Sequence, residues 1–172
     1  MNLQSNDFEL FGLTQQFAQD RAALDARWKE LQREAHPDKF AAQGDAAQRV
    51  AMQWSVRINE AYQRLKDPLK RAAYLCELAG SPINAHSNTA MPAAFLMQQM
   101  QWREELDETS SDAALGALRD NVDKAQATLL DECATRLDEQ RDFSSAVQSV
   151  RALMFIEKFG HDLDLAFDKQ ET

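Results

Sequence analysis

The sequence is poor in cysteine, glycine and proline. Its two cysteines, Cys76 and Cys133, show no Cys-x-x-Cys spacing, so we predict neither a disulfide framework nor a zinc site, and we expect no cofactor. Five Gly and four Pro in 172 residues are too few for the many tight turns of an all-β fold. The residues that are plentiful, Ala, Leu, Gln, Glu and Arg, are the ones that helices prefer. Together these features predict an all-α protein.

Long apolar runs are absent as well. No stretch approaches the ~20 apolar residues that a membrane-spanning helix needs. The opening residues, from Met1 to Asp7, have neither the basic start nor the apolar stretch of a secretory signal. We therefore expect a soluble, reduced, cytoplasmic protein without a membrane partner.

Charge is distributed unevenly along the chain. Residues 1–80 contain eleven Lys and Arg against eleven Asp and Glu, whereas residues 81–172 contain eight against seventeen, which accounts for the net charge of −9. This asymmetry suggests two units with different partners. Nucleic-acid binding is not expected, because it depends largely on neutralising phosphates with basic side chains.

The first half of the chain predicts four helices. Asp7 is placed to cap a short first helix that ends near Gly12, and Asp20 to cap the second. After an irregular stretch up to residue 44, Asp45 begins a third helix, and Asp67 caps a fourth. The apolar stripe of the third helix consists of Val50, Trp54, Ile58, Ala61, Tyr62 and Leu65. We expect the second and third helices to pack as an antiparallel hairpin.

The second helix stops at His36-Pro37-Asp38. Pro37 biases His36 away from the helical region and cannot donate a backbone hydrogen bond, so the chain must turn there. Asp38 is then held on a short, stiff loop, where its carboxylate suits a cation on a partner at little ordering cost. A plain helix terminator with a turn-forming Asp remains the alternative for this tripeptide taken alone.

Four ordered motifs make this half resemble a J-domain. They are DFELFGL from Asp7, HPDK from His36, INEAYQRL from Ile58 and DPLKRAAY from Asp67. The resemblance implies docking onto a DnaK-type ATPase, with His36, Pro37 and Asp38 triggering ATP hydrolysis in that partner and Lys39 beside the loop as a further contact.

J-domains usually carry a basic second helix, and here the pattern is mixed. Lys29 and Arg33 share one outward face at i, i+4, and Arg27 flanks them, so these three side chains are candidate chaperone contacts. Glu30 and Glu34 interleave with them, so a solvated face of mixed charge is the alternative.

An enzyme is not expected. His36 and Asp38 could in principle perform acid–base chemistry, but the sequence supplies no nucleophile, metal cluster or Gly-rich phosphate loop to accompany them.

The second half predicts a connector over residues 80–90 and three helices after it. The helices begin near Pro92, near Ser111 and at Asp142 or Ser144, and the short links between them point to an antiparallel bundle. The domain scheme is therefore residues 1–79, a linker over 80–90, and a three-helix bundle over 91–172.

The first helix of this bundle has two apolar faces. One carries Phe95, Gln99, Trp102 and Leu106. The opposite face carries Leu96, Met97, Met100, Glu104 and Glu108, with Gln101 at its margin. Flexible Met side chains rimmed by carboxylates are typical of a binding surface. A central helix buried on both sides is the alternative, and for Phe155 on the last helix both possibilities are equally open.

This half resembles the HscB family. The residues that carry the resemblance are FLMQQM from Phe95, REELDE from Arg103 and VRALMFIEK from Val150. It implies an L-shaped, bacterial-type co-chaperone whose C-terminal bundle binds the iron–sulfur scaffold IscU and whose J-domain recruits the chaperone HscA. The implied scaffold contacts are Leu96, Met97, Met100, Gln101, Glu104, Glu108 and Phe155. Gln101 and Met100 depart from the carboxylate and the Leu expected there, which predicts weaker electrostatics.

We thus expect a monomeric adaptor that accelerates ATP turnover by HscA and delivers IscU to it. A J-domain protein for another client, such as unfolded chains, is the rival interpretation, although no Gly/Phe-rich linker or Cys-x-x-Cys zinc module follows residue 79. A self-associating helical structural protein is the third.

Overall fold

The chain folds into two compact helical units. A computed structural model describes residues 2–83 and 91–170, and the chain divides into Met1–Leu75 and Cys76–Thr172. The described ranges contain no β-strand. The helices are α1 (Asp7–Phe11), α2 (Arg21–Glu34), a 3-10 helix (Pro37–Gln43), α3 (Asp45–Lys66), α4 (Pro68–Leu78), α5 (Ala93–Glu108), α6 (Asp112–Ala134), a π-helical segment (Thr135–Glu139) and α7 (Phe143–Gln170). The all-α prediction is confirmed, and much of the predicted linker at 80–90 lies outside the described residues.

The first unit is built on the antiparallel hairpin of α2 and α3. Trp28 near the middle of α2 donates its indole N–H to Asn59 at 3.0 Å and stacks on Tyr62, with ring centroids 4.5 Å apart. Closer to the tip, the Ser55 hydroxyl donates to Gln32 at 2.9 Å. Contacts that run forward on one helix and backward on the other define an antiparallel pair, which places the loop after α2 at the hairpin tip.

The cap of α1 differs from the prediction. Asn6, not Asp7, caps the helix, and its side chain accepts the backbone N–H of Glu9 at 2.9 Å. Gly12 ends α1 in the left-handed conformation, with φ of 65°, as its position predicted. Asp7 is fully buried, and its carboxylate forms ion pairs with Arg57 and Arg64, each at 2.8 Å. Because the Asp7 side chain is taken up by two guanidinium groups inside the fold, the cap of α1 comes from its neighbour Asn6.

Two further details of this unit depart from the sequence pattern. Val50, predicted on the buried stripe of α3, is 51% exposed, because it lies near the start of the helix and lines an open groove there, whereas Ala61 and Leu65 further along the same stripe are buried. The stretch from Phe40 onward, expected to be irregular, belongs to the 3-10 helix Pro37–Gln43. The predicted cap at Asp67 is confirmed, since its carboxylate accepts the backbone N–H of Leu69 at 2.9 Å.

The second unit is the predicted bundle of α5, α6 and α7. Ser111 caps α6, and the Asp142 carboxylate accepts the backbone N–H of Ser145 at 3.2 Å, which identifies Asp142 as the start of α7. The centre of the bundle is an apolar cluster drawn from all three helices: Trp102, Leu115, Leu118, Val122, Ile156, Phe159 and Leu163. In the part of the chain that the structure describes, no helix is both long and apolar enough to cross a membrane.

Candidate functional site

The first candidate site is the hairpin tip. α2 ends at Glu34, and His36 takes an extended conformation, with φ of −63° and ψ of 128°, as the residue before Pro37 should. The Nδ1 atom of His36 accepts the backbone N–H of Asp38 at 3.3 Å, and the N–H of Lys39 donates to the His36 carbonyl at 3.0 Å. These bonds and the proline ring hold the turn in one conformation.

The Asp38 carboxylate is free at this tip. Its side chain is 91% exposed, and the nearest cationic candidate, Nδ1 of His36, lies 3.7 Å away. That nitrogen accepts the Asp38 N–H, so it is engaged with the backbone of the turn and not with the carboxylate. The backbone at Asp38 is thus held by the turn, while its carboxylate faces solvent without a close cationic partner.

The predicted cations of α2 divide into two groups. Arg27 is engaged within the unit: its Nε donates to the Phe11 carbonyl at 3.2 Å and its Nη1 to Glu30 at 2.9 Å. Lys29 and Arg33 are exposed, as is Lys39, and none of the three forms an ion pair among the described residues. The cations available at this end of the hairpin are thus Lys29, Arg33 and Lys39, while Arg27 serves to fasten α2 to α1.

A polar cluster on α2 was not predicted from the sequence. The Tyr62 hydroxyl donates to Asp25 at 2.6 Å and Arg21 pairs with Asp25 at 2.8 Å. The hydrogen bond from Tyr62 and then that from Arg21 lower the pKa of Asp25. The hydrogen bond that Tyr62 donates to Asp25 also raises the pKa of Tyr62. The i, i+4 spacing of Arg21 and Asp25 is a visible signal of the ion pair, whereas Tyr62 is brought to it by the hairpin alone.

The second candidate site is the outward face of α5. Trp102 is buried in the core cluster, and Phe95 and Leu106 pack against it. The opposite face stays in solvent, with exposed fractions of 45% for Leu96, 69% for Met97 and 66% for Met100. The polar members of this face, Gln101, Glu104 and Glu108, are also exposed. We call the six residues Leu96, Met97, Met100, Gln101, Glu104 and Glu108 the α5 ridge, and it is apolar in the middle with carboxylates towards one end.

Phe155 lies apart from the ridge and belongs to the packing beneath it. Its ring meets Phe95 edge-on and stacks on Phe159, with centroids 5.9 Å apart in both pairs, and it is half-buried. The side chain that precedes it, Met154, is 38% exposed. Phe155 therefore supports the inner face of α5 and offers only part of its surface to a partner.

Among the described residues, no three His, Cys, Asp or Glu side chains come close enough to hold an ion. Cys76 and Cys133 are buried free thiols, and burial raises their pKa values to about 11 and about 12. Such thiols are protonated at neutral pH and are poor nucleophiles or metal ligands.

Comparison with known proteins shows which family the chain resembles. Residues 91–164 match the family model described as the HSCB C-terminal oligomerisation domain. The chain is 50% identical over 160 residues to the co-chaperone protein HscB homolog of Bordetella petrii, covering 92% of this chain and 94% of that protein. It is 46% identical over 179 residues to the homolog of Burkholderia multivorans, with 100% and 99% covered.

Solved structures agree with this assignment. The chaperone HscB from Vibrio cholerae matches with a TM-score of 0.82 at 37% identity, over 96% of this chain and 99% of that one. Human co-chaperone protein HscB matches with a TM-score of 0.89 at 28% identity, over 96% and 83%. A J-domain with its His-Pro-Asp tip, a helical C-terminal unit and relatives matched along nearly their whole length lead to one conclusion: the chain belongs to the HscB family of co-chaperones.

Proposed function

We propose that this protein stimulates the ATPase of the DnaK-type chaperone HscA through the hairpin tip and delivers the iron–sulfur scaffold IscU through the α5 ridge. The observation that carries the proposal is the free, fixed carboxylate of Asp38 on one unit, combined with an apolar ridge left in solvent on the other. Each is the kind of surface that a partner would cover, and membership of the HscB family supports HscA and IscU as those partners.

At the tip, the proposed action is electrostatic. Asp38 engages a cationic group of HscA and stabilises the state of that ATPase in which hydrolysis proceeds, since a ligand shifts a conformational equilibrium only through differential affinity for its two states. The turn is held by its own hydrogen bonds, so little conformational entropy is lost on docking. Lys29, Arg33 and Lys39 would meet acidic groups around that contact and steer the encounter.

At the ridge, the proposed partner surface is apolar with a basic rim. Met97 and Met100 are flexible thioethers that adapt to the shape of a partner, and Leu96 adds a branched apolar group beside them. Glu104 and Glu108 would pair with cations on IscU, consistent with the acidic excess of residues 81–172. Phe155 would contribute mainly by holding α5 in place.

The two contacts work as a tether. A chain that holds IscU while its J-domain engages HscA turns the second encounter into an intramolecular one and raises the effective concentration of IscU at the chaperone. The protein then needs no active site of its own. We place this activity in the cytoplasm, where free thiols such as Cys76 and Cys133 persist.

The test is a single-turnover ATPase assay with purified HscA, IscU and this protein. The proposal expects that this protein alone accelerates hydrolysis, and that IscU lowers the concentration of this protein needed for half-maximal acceleration. Acceleration that does not respond to IscU, but responds to a denatured polypeptide in its place, would support the rival client class of unfolded chains.

Self-association is the second candidate function, because the family model that covers residues 91–164 names oligomerisation. Light scattering at assay concentrations distinguishes the two functions. A monomer that binds IscU would support the ridge as the scaffold contact. A dimer that dissociates when the ridge is substituted would show that the ridge binds a second copy of this chain.

A further inference from the structure

The second unit contains a cavity that neither proposed contact uses. It has a volume of about 440 Å³ and lies between α5, the end of α6 and the start of α7. Its walls are largely apolar, formed by Phe95, Trp102, Leu129 and Ala152 among others. Pockets of this size are in the range that binds small molecules, and this one opens on the side of α5 that carries Phe95, opposite the α5 ridge.

One end of the cavity holds a fixed guanidinium group. The Nη1 atom of Arg136 donates to the Ser149 hydroxyl at 2.6 Å and to the Ser145 carbonyl at 3.2 Å. Ser149 is itself fully enclosed, with an exposed fraction of 1%, so the anchor is rigid. The other donors of Arg136, on Nε and Nη2, have no hydrogen-bond partner within the described part of the chain. A pre-positioned cation with unused donors favours an anionic group.

Trp102 supplies another unused donor. Its side chain is 3% exposed and lines the cavity, and its indole N–H makes no hydrogen bond within residues 2–83 and 91–170. A buried Trp N–H usually finds an acceptor, and here a ligand could provide it.

The backbone at this end is unusual. Arg136 lies in the π-helical segment Thr135–Glu139, where backbone hydrogen bonds span five residues instead of the four of an α-helix. Single π-helical turns are rare and often occur at functional sites. Here the segment carries the guanidinium group to the end of the cavity beside α7, where Ser145 and Ser149 anchor it.

From these features we propose that the cavity is a binding site for a small amphipathic carboxylate, whose apolar body lies along Phe95, Trp102 and Leu129 and whose carboxylate pairs with Arg136. The carboxylate accepts one hydrogen bond from Nε and one from Nη2, and Arg136 forms no ion pair among the described residues. Glu132 also lines the wall, but its side chain is exposed and can turn to solvent.

Octanoate is the probe, with 1-octanol and octylammonium as ligands of the same apolar length that are neutral and cationic. In amide and side-chain NMR spectra of the full chain, octanoate should shift the indole N–H signal of Trp102 saturably. The Trp102→Phe variant identifies that signal among the three Trp. Octanoate should bind most tightly, octanol less tightly and octylammonium least tightly. This comparison uses the unsubstituted protein, so it does not disturb the Arg136–Ser149 contact.

Arg136→Gln should weaken octanoate binding at least tenfold and leave octanol binding unchanged, because only the charge-assisted pair is lost. Arg136→Lys, which keeps the charge, should recover part of the loss. Lys124→Gln, on an exposed position of α6, is the matched control with the same change in charge and should bind like the parent. The proposal is overturned if octanoate causes no saturable shift, if octanol binds as tightly, or if Arg136→Gln and Lys124→Gln behave alike.

Discussion

The tip of the hairpin depends on individual residues whose conformations are set locally. Pro37 restricts His36, His36 accepts the Asp38 N–H, and the Asp38 side chain is left 91% exposed and unpaired. Each step follows from the chemistry of one residue and its immediate neighbour, so the tip is organised before any partner arrives. In the proposed complex with HscA, little conformational entropy would therefore be lost in ordering the loop, so more of the interaction free energy would remain to shift the conformational equilibrium of the chaperone.

Asp38→Asn should reduce HscA stimulation to the unstimulated rate. The amide has the same shape but no charge, so the contact with a cation on the chaperone is lost while the turn persists. Single-turnover ATPase measurements check this, with Glu60→Gln on the exposed outer face of α3 as the control of equal charge change. Normal stimulation by Asp38→Asn would contradict the assigned role of the tip.

Asp7 illustrates a residue whose partners are distant in sequence. It lies fully buried between Arg57 and Arg64, and its own N–H donates to Tyr74 at 3.0 Å. Asp7→Asn should lower the free energy of unfolding by about 3 kcal/mol, because removing one member of a buried ion pair leaves its partners uncompensated. Urea unfolding measures the loss. Glu9→Gln, which keeps an acceptor for the Asn6 N–H, should be nearly neutral, and equal losses would argue against the special role of Asp7.

The Asp25–Tyr62 bond predicts a pH dependence. The pKa of Asp25 is lowered in the folded protein, chiefly by the hydrogen bond from Tyr62. Its contribution to stability is therefore fully present above the unfolded-state pKa, near 3.9, and is lost as the pH falls through the lower folded-state value. Carboxyl NMR titration should find Asp25 below its usual range, and Tyr62→Phe should move it upward. An unchanged titration in Tyr62→Phe would rule the bond out as the cause.

At the scale of the element, α5 has two faces with different tasks. Phe95, Trp102 and Leu106 pack into the bundle, and the α5 ridge remains outside it. Substitutions on the two faces should therefore separate stability from binding.

Met97→Ser with Met100→Ser should weaken IscU binding at least tenfold and change the free energy of unfolding by less than about 1 kcal/mol, since exposed side chains contribute little to folding. Calorimetric titration with IscU measures the affinity. Met52→Ser, at an exposed methionine of α3, is the matched control and should bind normally. If the ridge variant retains full affinity, IscU binds elsewhere.

Phe155→Ala should act differently. Its ring is half-buried against Phe95 and Phe159, so the variant should lose about 2 kcal/mol of stability, less than for a fully buried Phe. IscU binding should weaken as well, because α5 loses support. Lost binding without lost stability would instead make Phe155 a direct contact.

At the scale of the whole molecule, the proposal joins two contacts through one chain. An excess of Asp38→Asn protein should inhibit the reaction of parent protein, HscA and IscU, because it captures IscU without stimulating the chaperone. Asp38→Asn combined with Met97→Ser and Met100→Ser should not inhibit. Inhibition by both variants would show that the first does not act by capturing IscU.

Local sequence patterns were sufficient to predict much of the structure of this molecule. The helix periods, the caps at Asp20 and Asp67, the start of α6 near Ser111 and the turn at His36-Pro37 follow from interactions within a few residues, and the sequence alone predicted them. The two-faced character of α5 was also predictable, because an apolar stripe with carboxylates opposite a second apolar stripe is visible in a 3.6-residue period.

Only the tertiary structure decided which partner each side chain meets. Asp7 is buried where Arg57 and Arg64 of α3 meet it, Arg27 donates to the Phe11 carbonyl, and Val50 remains in solvent. A helical period assigns a residue to a face, but it does not say what packs on that face or how far the packing extends. Long-range contacts are set by all helices at once, so they emerge only when the chain is folded.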